Sequence, residues 1–165
     1  MCDAVIALAR PVKATVIVND RADIAKLSDA DGVHVGQDDL HAADARRILG
    51  GFAIIGLSTH TIEQARAAAR ESVDYIAVGP IFATSSKHTG YNAVGTTLVG
   101  EVRAMLEKEG VAKPIVAIGG ITLERAPELI RAGAASVAVI ADLLATGHPE
   151  ARVREYLKAA GGAKA

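Results

Sequence analysis

Short apolar runs rich in Val and Ile recur along the chain, and stretches with helical periodicity separate most of them. The runs are TVIV at 15–18, GVHV at 32–35, AIIGL at 53–57, YIAVG at 75–79, PIVAIGG at 114–120 and SVAVI at 136–140. A short, continuous, β-branched run is typical of a strand buried on both faces. Strands that alternate with helices predict βα units around a parallel sheet, which sets the fold class as α/β.

Two of the intervening stretches indicate where helices begin and end. IEQARAAARE at 62–71 has helical periodicity, and Thr61 before it is a residue type that caps helix N-termini. LERAPELIRAG at 123–133 predicts a second helix that closes at Gly133, a C′ glycine. Pro127 would then fall in the first turn, where a missing backbone N–H is tolerated.

No linker or shift in composition divides the chain, so residues 1–160 are expected to form one domain, with a disordered tail at 161–165. The joints DADGVHV, ESVDYIAV and AGAASVAV resemble one another. Asp31, Asp74 and Gly133 are therefore expected to be turn residues at the structural end of the strands. Six strands can make a complete open sheet, or part of a (βα)8 TIM barrel with about two units missing, and periodicity alone leaves both open.

The composition excludes several classes of function. Lys and Arg number 18 against 19 Asp and Glu, the formal charge is −1, and aromatic residues make up 3%, so neither nucleic acid nor membrane is an expected partner. The single cysteine, Cys2, forms neither an internal disulfide nor a Cys-rich zinc site, and a reducing, cytoplasmic location is expected. The start MCDAVIALAR lacks the pattern of a signal peptide, and no run approaches the roughly 20 apolar residues of a membrane helix.

Polar residues and glycines follow most of the predicted strands, at the end where parallel α/β folds place their chemistry. They are Asn19-Asp20, Gln37-Asp38-Asp39, Ser58-Thr59-His60, the loop from Thr84 through Ser85 and Ser86 to Lys87, and Gly119-Gly120. The last predicted strand ends at Ile140-Ala141, where only backbone groups are offered. Neighbouring carboxylates suit Mg²⁺, hydroxyls with a Lys suit phosphate, and paired glycines expose backbone N–H groups. Together they predict a Mg²⁺-assisted enzyme acting on two phosphorylated small molecules. Singly, they are also typical of helix caps, solvated turns and surface loops.

The motifs VIVNDRADIA, DGVHVGQDDL, IIGLSTHT, YIAVGPIFATSSK, PIVAIGGIT and AGAASVAVIADL, in this order, resemble the thiamine-phosphate synthase family over about residues 14–145. The resemblance implies a (βα)8 barrel and a transferase of thiamine biosynthesis. Such an enzyme joins hydroxymethylpyrimidine diphosphate (the pyrimidine diphosphate) to a thiazole phosphate. It forms thiamine phosphate and releases pyrophosphate.

The resemblance also implies roles for residues at matching positions. Asp20 and Asp39 would hold the Mg²⁺ cofactor on the pyrophosphate, and Asn19 would bind the pyrimidine. The catalytic side chains would be Ser58, which contacts the pyrimidine diphosphate, and Lys87, which stabilises the leaving pyrophosphate. The thiazole phosphate site would be lined by Thr84, Ser85, Ser86, Gly120, Ile140 and Ala141.

This chain departs from the family pattern in three respects. The family's first strand, first helix and second strand, with a Gln-Leu-Arg-Glu-Lys type of motif, would precede Met1. Ala141 stands where the family often has Ser, and Ser86 where Thr is common. We therefore expect a shortened form that is weakly active or inactive alone, with either a homo-oligomeric partner or a complementing N-terminal fragment.

Two alternatives stay open. The related thiazole tautomerases are expected to have a His where this chain has Pro80 and to lack the carboxylate pair, so Pro80, Asp20 and Asp39 argue against that branch. A non-catalytic phosphate-binding module or subunit would keep the binding residues without turnover.

Overall fold

The computed structural model describes residues 1–84 and 90–161, and at their centre lies a sheet of six parallel strands. The strands are β1 (Ile17–Asn19), β2 (Gly32–Val35), β3 (Ile54–Thr59), β4 (Tyr75–Val78), β5 (Ile115–Ile118) and β6 (Ser136–Ala138), and they lie side by side in chain order. Connections between parallel strands are almost always right-handed. When the strands also lie side by side in chain order, all connecting helices fall on the same face of the sheet. A doubly wound sheet would reverse its order at a switch point, so this sheet has the arrangement of a barrel wall.

Helices connect the strands and flank the sheet. They are α1 (Cys2–Ala9), a short 3₁₀ helix (Arg10–Val12), α2 (Ala22–Ser28), α3 (Ala42–Leu49), α4 (Ile62–Arg70), α5 (Thr97–Lys108), α6 (Ala126–Arg131), α7 (Ala141–Leu144) and α8 (Pro149–Gly161). Within the described residues, no helix has the length and apolar character needed to cross a membrane.

The core lies between the sheet and the helices. Val33 of β2, Ile55 of β3 and Ile76 of β4 are fully buried on the helix-facing side of the sheet. The helices meet them with small residues such as Ala25 of α2 and Ala65 of α4, which let the helix backbones approach the strands closely. Since side chains alternate along a strand, His34 and its register neighbours lie on the opposite face.

All six predicted strands are present, with most ends displaced by one or two residues. Thr61 caps α4 as predicted, because its hydroxyl accepts a hydrogen bond from the Gln64 N–H at 3.2 Å. The helix predicted from residue 123 begins only at Ala126, because a turn closes first: the Arg125 N–H donates to the Thr122 carbonyl at 3.1 Å. Pro127 lies in the first turn, as expected.

The residues predicted to be turn residues at the structural end of the strands have that role. The Asp31 carboxylate accepts a hydrogen bond from the Val16 N–H at 2.7 Å. The Asp74 carboxylate accepts one from the Ile55 N–H at 2.7 Å and pairs with Arg46 at 2.6 Å. Each carboxylate thus ties the amino end of one strand to a neighbouring one.

Both edges of the barrel wall are open in the part of the chain that the structure describes. There β1 pairs only with β2, and β6 only with β5. The parallel six-stranded α/β fold is confirmed, while closure into a complete (βα)8 barrel stays a prediction. Helix α8 extends through Gly161, and residues 162–165 of the predicted tail lie outside the described residues.

Candidate functional site

The carboxyl ends of the six parallel strands lie along one edge of the sheet, and the predicted site residues follow them in two groups. The first group, within or after the last residues of β1 to β3, contains Asn19, Asp20, Asp39 and Ser58, and the second group, after β4 to β6, contains Thr84, Gly120, Ile140 and Ala141. The predicted residues Ser85, Ser86 and Lys87 lie outside the described residues.

Asp20 stands directly after β1 with a left-handed backbone, φ 65°. Its N–H donates to the His34 carbonyl of β2 at 2.7 Å, and the next N–H, that of Arg21, donates to the Asn19 carbonyl at 2.8 Å. Asp and Asn tolerate this conformation better than other residues with a Cβ. Such backbone geometry concentrates at functional sites, and here it fixes the position of the Asp20 carboxylate at the strand end.

The loop after β2 carries Asp39 and is tied to β3. The Asp39 carboxylate accepts a hydrogen bond from the Gly36 N–H at 2.7 Å, which closes the turn and leaves Asp39 exposed. The Gln37 side chain donates to the Ser58 carbonyl at 2.6 Å. The loop with the second carboxylate is therefore anchored beside the strand with the predicted catalytic serine.

Ser58 takes part in a hydrogen-bonded row on the face of the sheet opposite the helices. His34 Nε2 lies 2.8 Å from Ser58 Oγ, and His34 Nδ1 lies 2.9 Å from Tyr75 Oη. Burial raises the pKa of the Tyr75 phenol to about 12, so this hydroxyl keeps its proton at neutral pH. Three strands thus contribute side chains to one connected polar cluster.

The two carboxylates fit a magnesium ion that is shared with a substrate. Residues 1–84 and 90–161 contain no group of three or more His, Cys, Asp or Glu side chains able to hold a metal. Mg²⁺ commonly takes one or two carboxylates and fills its shell with water and substrate phosphate oxygens. Asp20 and Asp39 follow neighbouring strands, and carboxylate oxygens are the type of donor that such a partial shell requires.

The second group of residues is built around the turn after β5. Gly119 and Gly120 both have positive φ, 97° and 62°. A Cβ at Gly120 would lie 2.6 Å from the Ala83 carbonyl oxygen and 2.9 Å from the Phe82 side chain. Only glycine allows the loop after β4, which leads to Thr84, to pack this closely against the turn.

Arg125 adds a positive charge to the same place. Its guanidinium donates to the Gly120 carbonyl at 3.1 Å and lies over the Phe82 ring, 4.3 Å from the centroid. Sequence reasoning missed Arg125, because it reads as an ordinary exposed residue of an amphipathic helix. Its position depends on the turn at residues 122–125, which delays the start of α6.

Ile140 and Ala141 follow β6, next to the turn after β5. Ile140 is the N-cap residue of α7 and Ala141 its first residue, and both are exposed. The register pairs Ile118, the last residue of β5, with Ala138, the last residue of β6. The segments that follow these two neighbouring strands therefore begin at the same edge of the sheet. This arrangement brings the Gly120 turn and the Ile140–Ala141 segment side by side.

His60 and Tyr91 were also missed as a pair. Their rings stack at a centroid distance of 3.6 Å, and His60 Nδ1 is hydrogen-bonded to the Gly79 carbonyl. The stack joins the end of β3 to the segment that follows the loop after β4. No sequence signal relates the two residues, because they are neither close in sequence nor on paired strands.

The chain was then compared with known proteins. A family model described as Thiamine monophosphate synthase matches residues 1–143. The thiamine-phosphate synthase of Koribacter versatilis is 47% identical over 150 residues, covering 91% of this chain and 68% of the relative. That of Roseiflexus castenholzii is 43% identical over 152 residues, covering 92% and 64%. The chain thus spans about two thirds of the length of these curated relatives.

Solved structures agree with the sequence comparison. Thiamine phosphate pyrophosphorylase from Pyrococcus furiosus superposes with a TM-score of 0.85 at 29% identity, over 98% of this chain and 75% of that structure. A structure described as native KDPGal superposes with a TM-score of 0.73 at 16% identity, which bears on the fold alone.

The parallel α/β fold, with polar residues at the carboxyl ends of its strands, is typical of an enzyme of the α/β class, and the comparisons specify it further. The chain belongs to the thiamine-phosphate synthase family. The expectation from the sequence motifs is confirmed at this level. The relatives named above are synthases, which favours the synthase over the tautomerase alternative.

Proposed function

We propose that this chain provides the residues with which a thiamine-phosphate synthase binds Mg²⁺, the pyrimidine diphosphate and the thiazole phosphate. The observation that carries the proposal is the junction of β1, β2 and β3. There the Asp20 N–H donates to the His34 carbonyl, and the His34 ring bonds to Ser58. A carboxylate for the metal and a hydroxyl for the substrate are thus held on one hydrogen-bonded frame.

Asp20 and Asp39 would hold Mg²⁺, which when bound supplies positive charge to the leaving pyrophosphate. Asn19 pairs in register with His34, on the face of the sheet that carries Ser58, and this placement suits contact with the pyrimidine. Lys87, assigned from the sequence, would add a compact cation for the pyrophosphate. Preorganised charge at the leaving group is the main catalytic device in this proposal.

The row Tyr75–His34–Ser58 gives Ser58 a defined direction. Tyr75 keeps its proton at neutral pH, and in the tautomer with the imidazole proton on Nε2 its hydroxyl would donate to His34 Nδ1. Nε2–H then donates to Ser58 Oγ, and the serine hydroxyl is left to donate to a substrate oxygen. Ser58 therefore acts as a donor towards the diphosphate.

The turn after β5 and the segment after β6 would receive the thiazole phosphate. Gly119 and Gly120 bring backbone close to the ligand position, and Ile140 and Ala141 offer backbone N–H groups from the neighbouring strand. Ala141 lacks a hydroxyl, so its contribution is through the backbone. Thr84, with Ser85 and Ser86 assigned from the sequence, would complete this pocket.

Two further parallel strands would close the wall between β6 and β1. Exposed apolar side chains lie on the helices before β1 and after β6: Leu8 (78% exposed) and Val12 (73%) precede β1, and Leu144 (66%) and Leu157 (68%) follow β6. Further strands of the same polypeptide, a complementing N-terminal fragment or another copy of the chain would cover them. The same open edges favour a second candidate function, a non-catalytic phosphate-binding module or subunit that keeps the binding residues without turnover.

Formation of thiamine phosphate tests the proposal. The purified chain is assayed with both substrates, with and without Mg²⁺, alone and with a separate polypeptide that covers the first two βα units of the Koribacter versatilis relative. We expect Mg²⁺-dependent product that rises when the fragment is added. Mg²⁺-dependent binding of pyrophosphate without product in either assay would favour the phosphate-binding module.

A matched pair of variants separates chemistry from folding. Asp20→Asn removes the charge and keeps a residue that tolerates positive φ, and we expect it to abolish product formation. Asp29→Asn is the control, because Asp29 also has positive φ (57°) but lies at the C-terminal end of α2, beside Arg10. Equal loss in both variants, or full activity of Asp20→Asn, would contradict the metal assignment.

A further inference from the structure

A partly buried ion pair connects the segment after β6 to helix α8. Arg152 donates through Nε to Asp142 Oδ2 at 2.9 Å and through a terminal nitrogen to Oδ1 at 3.1 Å, a two-pronged contact. The Tyr156 hydroxyl donates to Oδ2 at 2.7 Å. The side chains of Asp142 and Arg152 are only 12% and 15% exposed, and Tyr156 is buried.

The same cluster reaches the segment that follows β5. Hydrogen bonds from Arg152, the larger cause, and from Tyr156 lower the pKa of the Asp142 carboxyl. Glu124 lies 3.8 Å from the Arg152 guanidinium. Helix α8 also packs against both α6 and α7. Arg152 of the last helix thus contacts carboxylates in the segments after two neighbouring strands, Glu124 after β5 and Asp142 after β6.

The segment after β6 depends on such a connection because of its place in the sheet. In the described part of the chain, β6 has a strand neighbour on one side only. Asp142 directly follows Ala141, and Glu124 follows Gly120 by four residues. The cluster therefore borders both backbone segments that the proposed function gives to the thiazole phosphate.

We infer that Asp142, Arg152 and Tyr156 are positioning residues that fix the spacing between the Gly120 turn and the Ile140–Ala141 segment for the thiazole phosphate. The inference rests on the proposed function for the identity of the ligand. Within the described residues, the hydrogen bonds and ion pairs given above for the cluster include none with the residues at the ends of β1 to β3 that are proposed to bind the pyrimidine diphosphate. The cluster therefore acts on one substrate and not on the other.

Two conservative variants and one control test this role. Arg152→Lys keeps the charge but loses the two-pronged geometry, and Tyr156→Phe keeps the ring but loses one donor. The control is Arg154→Lys, because Arg154 is 70% exposed and pairs with Glu150 at 2.7 Å on the same helix. All three variants keep the charge and length of α8.

The first measurement is amide hydrogen exchange on the free chain, which requires no substrate. Arg152→Lys is expected to speed exchange at residues 119–124 and 139–143 together, while exchange in β2 and β3 stays as in the wild type. The control variant is expected to change neither segment. Unchanged exchange in both segments, or a uniform increase over the whole chain, would overturn the positioning role.

The second measurement is the dissociation constant of each substrate, determined separately by calorimetry. We expect Arg152→Lys to weaken binding of the thiazole phosphate roughly 10-fold and Tyr156→Phe about 3-fold, the scale of one misplaced polar contact. Binding of the pyrimidine diphosphate is expected to stay unchanged. Equal weakening for both substrates would overturn the inference. A wild-type chain that binds neither substrate would overturn the proposed function itself, whatever the exchange rates show.

Discussion

The imidazole of His34 lies nearly parallel to the phenol ring of Tyr75, with ring centroids 5.6 Å apart and an interplanar angle of 18°. The two residues belong to β2 and β4, which are not neighbours, and β3 runs between them. The register places Gly56 between the two, paired with His34 on one side and with Tyr75 on the other. The aromatic rings meet across β3 because the middle residue has no side chain.

Replacement of Gly56 by alanine is expected to break this arrangement. An added Cβ would overlap Cζ and Oη of Tyr75, so the ring must move. Overpacking of this kind costs about 1–3 kcal/mol, and we expect the free energy of unfolding in urea to fall by that amount. Gly51→Ala is the control, since a Cβ there meets no atom within 4 Å. Equal stability of both variants would show that Tyr75 is free to move.

Tyr75→Phe removes one hydroxyl and keeps the ring. His34 Nδ1 then loses a partly buried hydrogen-bond partner that lies 2.9 Å away, and loss of a typical hydrogen bond costs about 0.5–1.5 kcal/mol of stability. We also expect weaker binding of the pyrimidine diphosphate, because the proton on His34 is no longer directed towards Ser58. A double-mutant cycle with Ser58→Ala measures this coupling. Additive losses in the two single variants would mean that Tyr75 acts on stability alone.

The sequence was sufficient to predict the strands, and it assigns the candidate site to the edge of the sheet formed by their carboxyl ends. The run GVHV coincides with β2, because β-branched residues buried on both faces leave few other arrangements. Gly56 interrupts the run AIIGL, and a glycine inside a strand often indicates close approach by another group. The approaching group, Tyr75, could not be identified, since that requires the register between β3 and β4.

Arg125 and Asp142 show why other parts of the site could not be predicted. Arg125 reaches Gly120 because a turn through Thr122 replaces the expected first turn of α6. Asp142 has its partner Arg152 ten residues later in the sequence, on α8. Both positions depend on the packing of whole helices, which local periodicity does not describe.

Two substitutions of Asp20 are expected to separate the effect of backbone strain from the effect of the carboxylate charge. Its φ of 65° is tolerated by Asn but costs an alanine roughly 1–2 kcal/mol. Asp20→Asn should therefore keep the thermal midpoint of the wild type and lose Mg²⁺-dependent binding of pyrophosphate, while Asp20→Ala should lose both. Scanning calorimetry and binding titrations check this. A stable Asp20→Ala variant would contradict the strain, and Mg²⁺-dependent binding by Asp20→Asn would contradict the metal role.

The stability of the chain in acid is expected to depend on Asp142. Hydrogen bonds from Arg152 hold the pKa of this carboxyl below its ordinary value of 3.8, so the ionised form stabilises the fold. That contribution is complete at pH values above the ordinary pKa of the unfolded chain. It is lost as the pH falls through the lowered pKa of the folded chain. Asp142→Asn should thus be less stable than the wild type at neutral pH, and the difference should shrink below pH 3.8 in urea unfolding at successive pH values. Glu150→Gln, on the exposed pair with Arg154, should stay close to the wild type throughout, because exposed ion pairs contribute little. A difference for Asp142→Asn that does not change with pH would show that the ionised carboxylate is not what stabilises the fold.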